Sequence, residues 1–173
     1  MKYKTPVCKI NTDIPTSTNR EIMKVLANHQ WFRAFDKAED RLGNLEKGVS
    51  LGWSVETITN GKEELESILN FYGNFIFNLI MGKAKIKGEL YRLFWNMYFP
   101  GDKTEIHYDH TDENFYSILY NLHTTDGAIE IENKRYNDKE SEAKIFQSKK
   151  THRGIGPTCD KVRFNLNIIF KKI

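Results

Sequence analysis

Leu90-Tyr91-Arg92-Leu93-Phe94-Trp95-Asn96-Met97-Tyr98-Phe99-Pro100-Gly101 is the stretch that sets the architecture of this chain. In an extended backbone successive side chains point to opposite faces. Leu90, Arg92, Phe94, Asn96 and Tyr98 therefore share one face, and Tyr91, Leu93, Trp95, Met97 and Phe99 the other. The period of two predicts a strand that runs to Phe99 and is broken by Pro100-Gly101. Further alternating or apolar runs follow at Glu105 to Asp109, Phe115 to His123, Ala128 to Glu132, Ala143 to Gln147 and Lys161 to Phe170. Short strands separated by turn residues predict a barrel or a sandwich.

Toward the N-terminus the period changes to that of a helix. Thr18 and Glu21 have the spacing of a capping box, and Ile22, Val25, Leu26 and His29 recur behind them, which predicts a helix over Asn19 to Gln30. Asn60 with Glu63 gives a second start signal. Leu65, Ile68, Leu69, Tyr72, Ile76, Leu79 and Ile80 then form a stripe, with Gly82 as the expected stop. Val49 to Ile58 reads as a strand between the two helices. Helix signals in the first half and strand signals in the second predict helices packed on one large sheet system. The charged run Glu132 to Lys144 reads as a solvated loop or hairpin tip.

With 173 residues and 20.3 kDa the chain fits one domain. A hydrophobic content of 39% and an aromatic content of 13% supply a core and exclude wholesale disorder. No apolar run reaches the roughly 18 residues of a membrane span. Met1 to Pro15 is polar and lacks the pattern of a secretory signal, so a cytoplasmic protein is expected. Cys8 and Cys159 make neither a disulfide framework nor a thiolate zinc site. A net charge of +3 is too small to indicate nucleic acid or an anionic membrane by itself.

The chemistry concentrates in a few residues. His107 and Asp109 lie two apart in a strand-like context and project together, so both can ligate one metal ion. The third member of a two-histidine, one-carboxylate facial triad would be a later histidine, and His152 is the last in the chain. Three facing ligands leave three open positions on an octahedral Fe(II), which a bidentate co-substrate and dioxygen require. Arg163 shares a strand face with Asn165 and Asn167, opposite Val162, Phe164, Leu166 and Ile168. A guanidinium stays charged when partly desolvated and presents a planar fork of donors, which suits a carboxylate such as the distal one of 2-oxoglutarate.

In this order Asn96-Met97-Tyr98-Phe99-Pro100-Gly101, His107-Tyr108-Asp109, Ser117 to Leu122, Gly127-Ala128, His152-Arg153-Gly154 and Arg163 to Leu166 resemble the Fe(II)- and 2-oxoglutarate-dependent dioxygenases. The resemblance implies a mainly β chain with N-terminal helices (α+β), built on a double-stranded β-helix barrel of jelly-roll or cupin-like type. It implies one oxygenase domain over residues 1–173, with a helical support region to residue 84 and a barrel core from residue 85. His107, Asp109 and His152 would hold iron and Arg163 would pair with 2-oxoglutarate. Tyr98, Asn96, Tyr120 and Asn165 would supply hydrogen bonds to the same co-substrate. The cofactor set that the resemblance implies is Fe(II), 2-oxoglutarate and O2, with ascorbate as a supporting reductant.

The prolyl-hydroxylase-like members, including compact phage-encoded ones, look most similar. The implied reaction is hydroxylation with release of succinate and CO2, on a peptidyl residue first, a nucleobase second and a small metabolite third. The nucleic-acid demethylases of the alkylation-repair type compete, but Ile169 stands where they carry a second arginine and Thr111 where they carry an acidic residue. A non-catalytic cupin-like module binding metal or carboxylate is the reading from a different class. His29 and His123 lack partners at ligand spacing and are assigned no role, while His110 adjoins Asp109 but points to the opposite face and reads as a non-ligand, with a substrate-side role left open. Trp31, Phe32, Trp53 and Trp95 read as core, and Lys149, Lys150, Arg153 and Lys161 as a solvated basic edge.

Overall fold

The strand expected around Leu90 forms as β5, Gly88–Tyr98, and it lies between two partners in the larger of two sheets. The computed structural model describes residues 7–33, 53–63 and 68–173. In chain order these hold β1 (Cys8–Asn11), α1 (Thr16–Ala27), β2 (Phe32–Arg33), β3 (Trp53–Thr59), β4 (Lys62–Glu63), α2 (Ile68–Ala84) and β5. They continue with β6 (Phe115–Asn121), β7 (Ala128–Ile131), β8 (Lys134–Asn137), β9 (Glu142–Gln147), β10 (His152–Ile155) and β11 (Arg163–Lys172).

The major sheet has the order β1-β9-β6-β11-β5-β3-β2, with β4 paired to β3 at its side, and the minor sheet has the order β10-β7-β8. Their pairings are antiparallel, as short strands joined by turns require. The consequence is a major sheet with two different faces. On one, Leu93 and Trp95 of β5, Ile118 and Tyr120 of β6, Ala143 and Ile145 of β9, and Leu166, Ile168 and Phe170 of β11 join Ile22 and Leu26 of α1 and Leu69, Ile76 and Ile80 of α2 in one core. Burial of each such side chain contributes about 1.5 to 3 kcal/mol, which makes this helix-on-sheet layer the main source of stability. On the other face Leu119 and Phe146 meet Ile129 and Ile131 of the minor sheet in a smaller cluster. A polar lane runs beside that cluster and carries the site.

Several local expectations are corrected. α1 begins at Thr16 behind Pro15, whose φ of −60° is already suited to a helix entrance, with no side-chain cap; Glu21 pairs instead with Lys24 at 2.7 Å. Asn60-Gly61 does not start a helix. Both residues have positive φ, 52° and 72°, and turn β3 into β4, the conformation for which Asn-Gly is favoured. Leu65 and its neighbours at 64–67 lie outside the described residues, as do residues 49–52 of the strand expected over Val49 to Ile58.

Gly82 does not stop α2, which runs on to Ala84. Lys85 takes φ 54°, its N–H reaching the Gly82 carbonyl at 3.3 Å while that of Ile86 reaches Met81 at 3.1 Å. The termination therefore comes from a left-handed residue three positions beyond the expected glycine. Gly73 has a packing role: a Cβ there would lie 2.4 Å from Leu93 Cδ1, so the glycine lets α2 approach β5. The segment Glu105 to Asp109 forms no strand, but a reciprocal bridge joins His107 to His152. The charged run holds the turn of the β7–β8 hairpin, at Glu132 and Asn133 with φ 48° and 65°, and the strand β8 that follows it. Within that run Asp138 and Lys144 are buried rather than solvated.

Candidate metal centre

His152 opens β10, and His107 is bound beside it by two backbone hydrogen bonds, His107 N to His152 O at 2.9 Å and His152 N to His107 O at 2.8 Å. Asp109 is drawn to the same place because its N–H donates to Ser148 O at 3.0 Å. One ligand atom from each of His107, Asp109 and His152 lies within 4.8 Å of the others. His152 Nε2 is 3.5 Å from Asp109 Oδ2, and His107 Nε2 is 3.9 Å from Oδ1.

The imidazoles are oriented from behind. His107 Nδ1 donates to Glu105 O at 2.8 Å and His152 Nδ1 to Lys150 O at 2.9 Å, which leaves each Nε2 lone pair facing Asp109. Ser117 of β6 donates to Asp109 Oδ2 at 2.5 Å and also contacts Ser148 Oγ at 2.8 Å. Burial works against the charge of Asp109, but His152, His107 and Ser117 outweigh it and hold the carboxyl well below the usual range. Burial likewise opposes protonation of His152, and the Asp109 carboxylate overcomes it, so the imidazole titrates above its ordinary value. His152 Nε2 is buried without a hydrogen-bond partner. Two outward-facing imidazole nitrogens and an ionised carboxylate are a donor set that fits a divalent transition metal.

A second polar group adjoins the triad on the same face of the major sheet. Arg163 of β11 is opposite Tyr98 of β5, and its guanidinium stacks over the Tyr98 ring at 4.8 Å. Asn165 is opposite Asn96, whose amide donates to Asn165 Oδ1 at 3.1 Å. Arg163 Nη1 and Asn165 Nδ2 are buried donors without partners, two residues apart on one strand face, which fits an anionic or carbonyl oxygen between them.

Arg163 is not otherwise free. Its Nε donates to Asp138 Oδ2 at 2.5 Å and its Nη2 to Oδ1 at 3.0 Å, with both side chains 1% exposed. Nothing in the sequence signals Asp138, which sits in a polar run; nor is the support of Asp109 by Ser117 signalled.

Of the expected co-substrate residues, Arg163, Tyr98, Asn96 and Asn165 share the polar lane. Tyr120 does not: it points into the helix-covered core, where its hydroxyl donates to Asn19 Oδ1 of α1 at 2.7 Å. The reason is parity, since Ser117, Leu119 and Asn121 occupy the site-facing side of β6. His110 stacks on Phe115 at 3.7 Å and accepts from Asp112 N, outside the triad. His123 accepts from Phe164 N at 3.2 Å. Trp31 and Trp95 pack in or against the main core. The basic edge is largely compensated: Lys149 pairs with Glu113, Lys150 with Glu132 at 2.8 Å and Arg153 with Glu130 at 2.9 Å. Cys8 and Cys159 are exposed free thiols, and no described helix is long and apolar enough to cross a membrane.

The arrangement of two sheets backed by helices recurs in solved structures. The non-heme α-ketoglutarate-dependent epimerase SnoN of nogalamycin biosynthesis superposes with a TM-score of 0.65 at 10% identity, over 95% of this chain and 76% of its own. The fold is that of the 2-oxoglutarate oxygenases. The viral collagen prolyl hydroxylase of Paramecium bursaria chlorella virus-1, solved as a 2-oxoglutarate complex, gives 0.61 at 12% identity, over 96% of this chain and 97% of its own. A Trichoplax adhaerens prolyl hydroxylase bound to a peptide fragment gives 0.62 at 14%, over 95% and 83%. No protein-family model and no curated protein sequence matches the chain. The likeness to the 2-oxoglutarate oxygenase fold is thus carried by structure at low identity, and the double-stranded β-helix reading of the strands agrees with it.

Proposed function

We propose that this chain is an Fe(II)- and 2-oxoglutarate-dependent oxygenase that hydroxylates its substrate with release of succinate and CO2. The observation that carries the reading is the convergence of His107, Asp109 and His152 within 4.8 Å, with both imidazoles locked to present Nε2. Iron would be held by these three residues, and 2-oxoglutarate by Arg163 Nη1 and Asn165 Nδ2, with Asn96 and Tyr98 fixing those two side chains. When bound, the metal and co-substrate supply the oxidising chemistry. The protein's own contribution is positional. Ser117 helps to aim Asp109 and to keep it ionised, the two backbone carbonyls hold the proton of each imidazole on Nδ1 so that Nε2 is the atom turned to the metal position, and Leu119, Phe146, Ile129 and Ile131 exclude water from one side.

A peptidyl residue of the prolyl type is the first substrate class to test, supported by the prolyl hydroxylases that share the fold. The exposed Ile106 and Tyr108 flank His107 and offer apolar contact to an incoming chain. A nucleobase is less well supported. Ile169 is buried on the polar lane opposite Ser117, and the neighbouring basic edge is paired with acids.

The test is anaerobic titration of metal-free protein with Fe(II) and 2-oxoglutarate, followed by the visible charge-transfer band of the chelate. The band is expected in the native chain, lost in His152→Ala and weakened in Arg163→Ala. A folded, iron-loaded protein without the band refutes the oxygenase reading and favours a non-catalytic binding module. With the band in hand, 2-oxoglutarate turnover on prolyl peptides tests the substrate class.

A further inference from the structure

The guanidinium that would receive the co-substrate already has a buried counter-ion. Asp138 takes Nε and Nη2 of Arg163, and its carboxylate is held by further donors, Thr125 Oγ1 at 2.8 Å and the Asn121 amide at 3.2 Å. Its backbone N–H is fixed to Gly127 O at 3.1 Å, and Gly127 has no room for a Cβ, which would lie 2.8 Å from Arg163 Cδ. Asp138 is therefore built into the pocket wall, and an entering ligand cannot displace it without breaking all of these contacts. Lys144, a further cation on this face, is itself committed to Glu142 at 3.1 Å and to the Asn121 amide oxygen at 2.8 Å.

We propose that Asp138 sets the co-substrate selectivity of this site: by cancelling the charge of Arg163 it leaves a pocket that admits 2-oxo acids with an uncharged, acceptor-bearing tail nearly as well as 2-oxoglutarate. This rests on the oxygenase reading above. An incoming distal carboxylate meets the attraction of Arg163 and, at nearly the same range, the repulsion of Asp138, so its charge gains little. What remains are two unpartnered donors, Arg163 Nη1 and Asn165 Nδ2, and a donor serves a neutral carbonyl oxygen as well as an anionic one.

The experiment uses the full chain loaded with Mn(II), without turnover, and measures Kd by calorimetry for 2-oxoglutarate and for 2,5-dioxohexanoate. The second acid replaces one distal carboxylate oxygen by a methyl group, so shape and one acceptor are kept and the charge is lost. In the native protein the two constants are expected within about tenfold of each other. In Asp138→Asn, which keeps the shape and removes the counter-charge, the preference for 2-oxoglutarate should widen by about tenfold or more. A merely structural role for Asp138 would weaken both acids alike and leave the ratio unchanged, which overturns the proposal. A native preference beyond tenfold overturns it as well, and this arm stands even where Asp138→Asn fails to fold. If neither acid binds, the oxygenase reading falls together with the proposal; a strong native preference removes the proposal alone.

Discussion

Replacing Arg163 by Met keeps most of the volume of the side chain and leaves the Asp138 carboxylate, 1% exposed, without its counter-ion. Two charge-assisted hydrogen bonds disappear, at 2.5 and 3.0 Å, and Thr125 and Asn121 remain as neutral donors that do not compensate a full charge. Breaking a buried pair by removing one partner costs about 3 to 5 kcal/mol, because the remaining ion stays desolvated. For a domain of this size each kcal/mol moves Tm by about 2 to 4 °C, so a fall of about 6 to 20 °C is expected. Urea denaturation should show a lower midpoint at unchanged slope, since the surface exposed on unfolding is the same. The double variant Arg163→Met/Asp138→Asn removes the stranded charge while retaining a polar group for Thr125 and Asn121, and should be more stable than Arg163→Met alone. A loss below about 1 kcal/mol in Arg163→Met, or a double variant no better than the single, refutes the buried-pair argument.

Ser117→Ala deletes the hydroxyl that donates to Asp109, and metal affinity should fall about 10- to 100-fold with an unchanged circular dichroism spectrum; native affinity would remove Ser117 from the centre. Metal binding must displace the proton of His152, whose pKa is raised above 6.5 by Asp109, so affinity measured by titration at pH 6, 7 and 8 should tighten with pH. In the metal-free protein the sign reverses: the protonated pair adds stability that is fully present below pH 6.5 and is lost as pH rises through the raised value. Gly73→Ala places a Cβ against Leu93 and should cost about 1 to 3 kcal/mol in urea titration, leaving metal affinity untouched because the clash is on the helix side of the sheet. Tyr120→Phe loses the bond to Asn19 and should lower stability by about 1 kcal/mol without altering the Kd of 2-oxoglutarate; a weakened Kd would return Tyr120 to the pocket.

Local pattern carried much of this protein. The period of two over Leu90 to Phe99 is β5, and the runs at Phe115, Ala128, Ala143 and Lys161 are β6, β7, β9 and β11, because a strand's side-chain alternation is set by backbone geometry alone. The same alternation within β6 sets Tyr120 beside Ile118 on the apolar face, and that local signal, rather than the family pattern, gives its position. Helix ends were less legible. Thr18-x-x-Glu21 has the form of a cap but lies inside α1, and Gly82 has the form of a stop but lies inside α2, since a cap works only where the backbone turns away.

The sequence by itself singled out His107, Asp109 and His152, the alternation of the strands and the class of fold, all of which depend on residues near one another in the chain or on the order of types along it. The tertiary structure alone decided that Ser117 supports Asp109, and that Asp138, 25 residues before Arg163, is its buried partner. A charged residue in a polar run looks the same whether water or another side chain satisfies it. Only the closure of the minor sheet over the polar face of the major one removes the water, and with it the alternative partner, so the charge of Arg163 acquires its meaning from packing that no local pattern encodes.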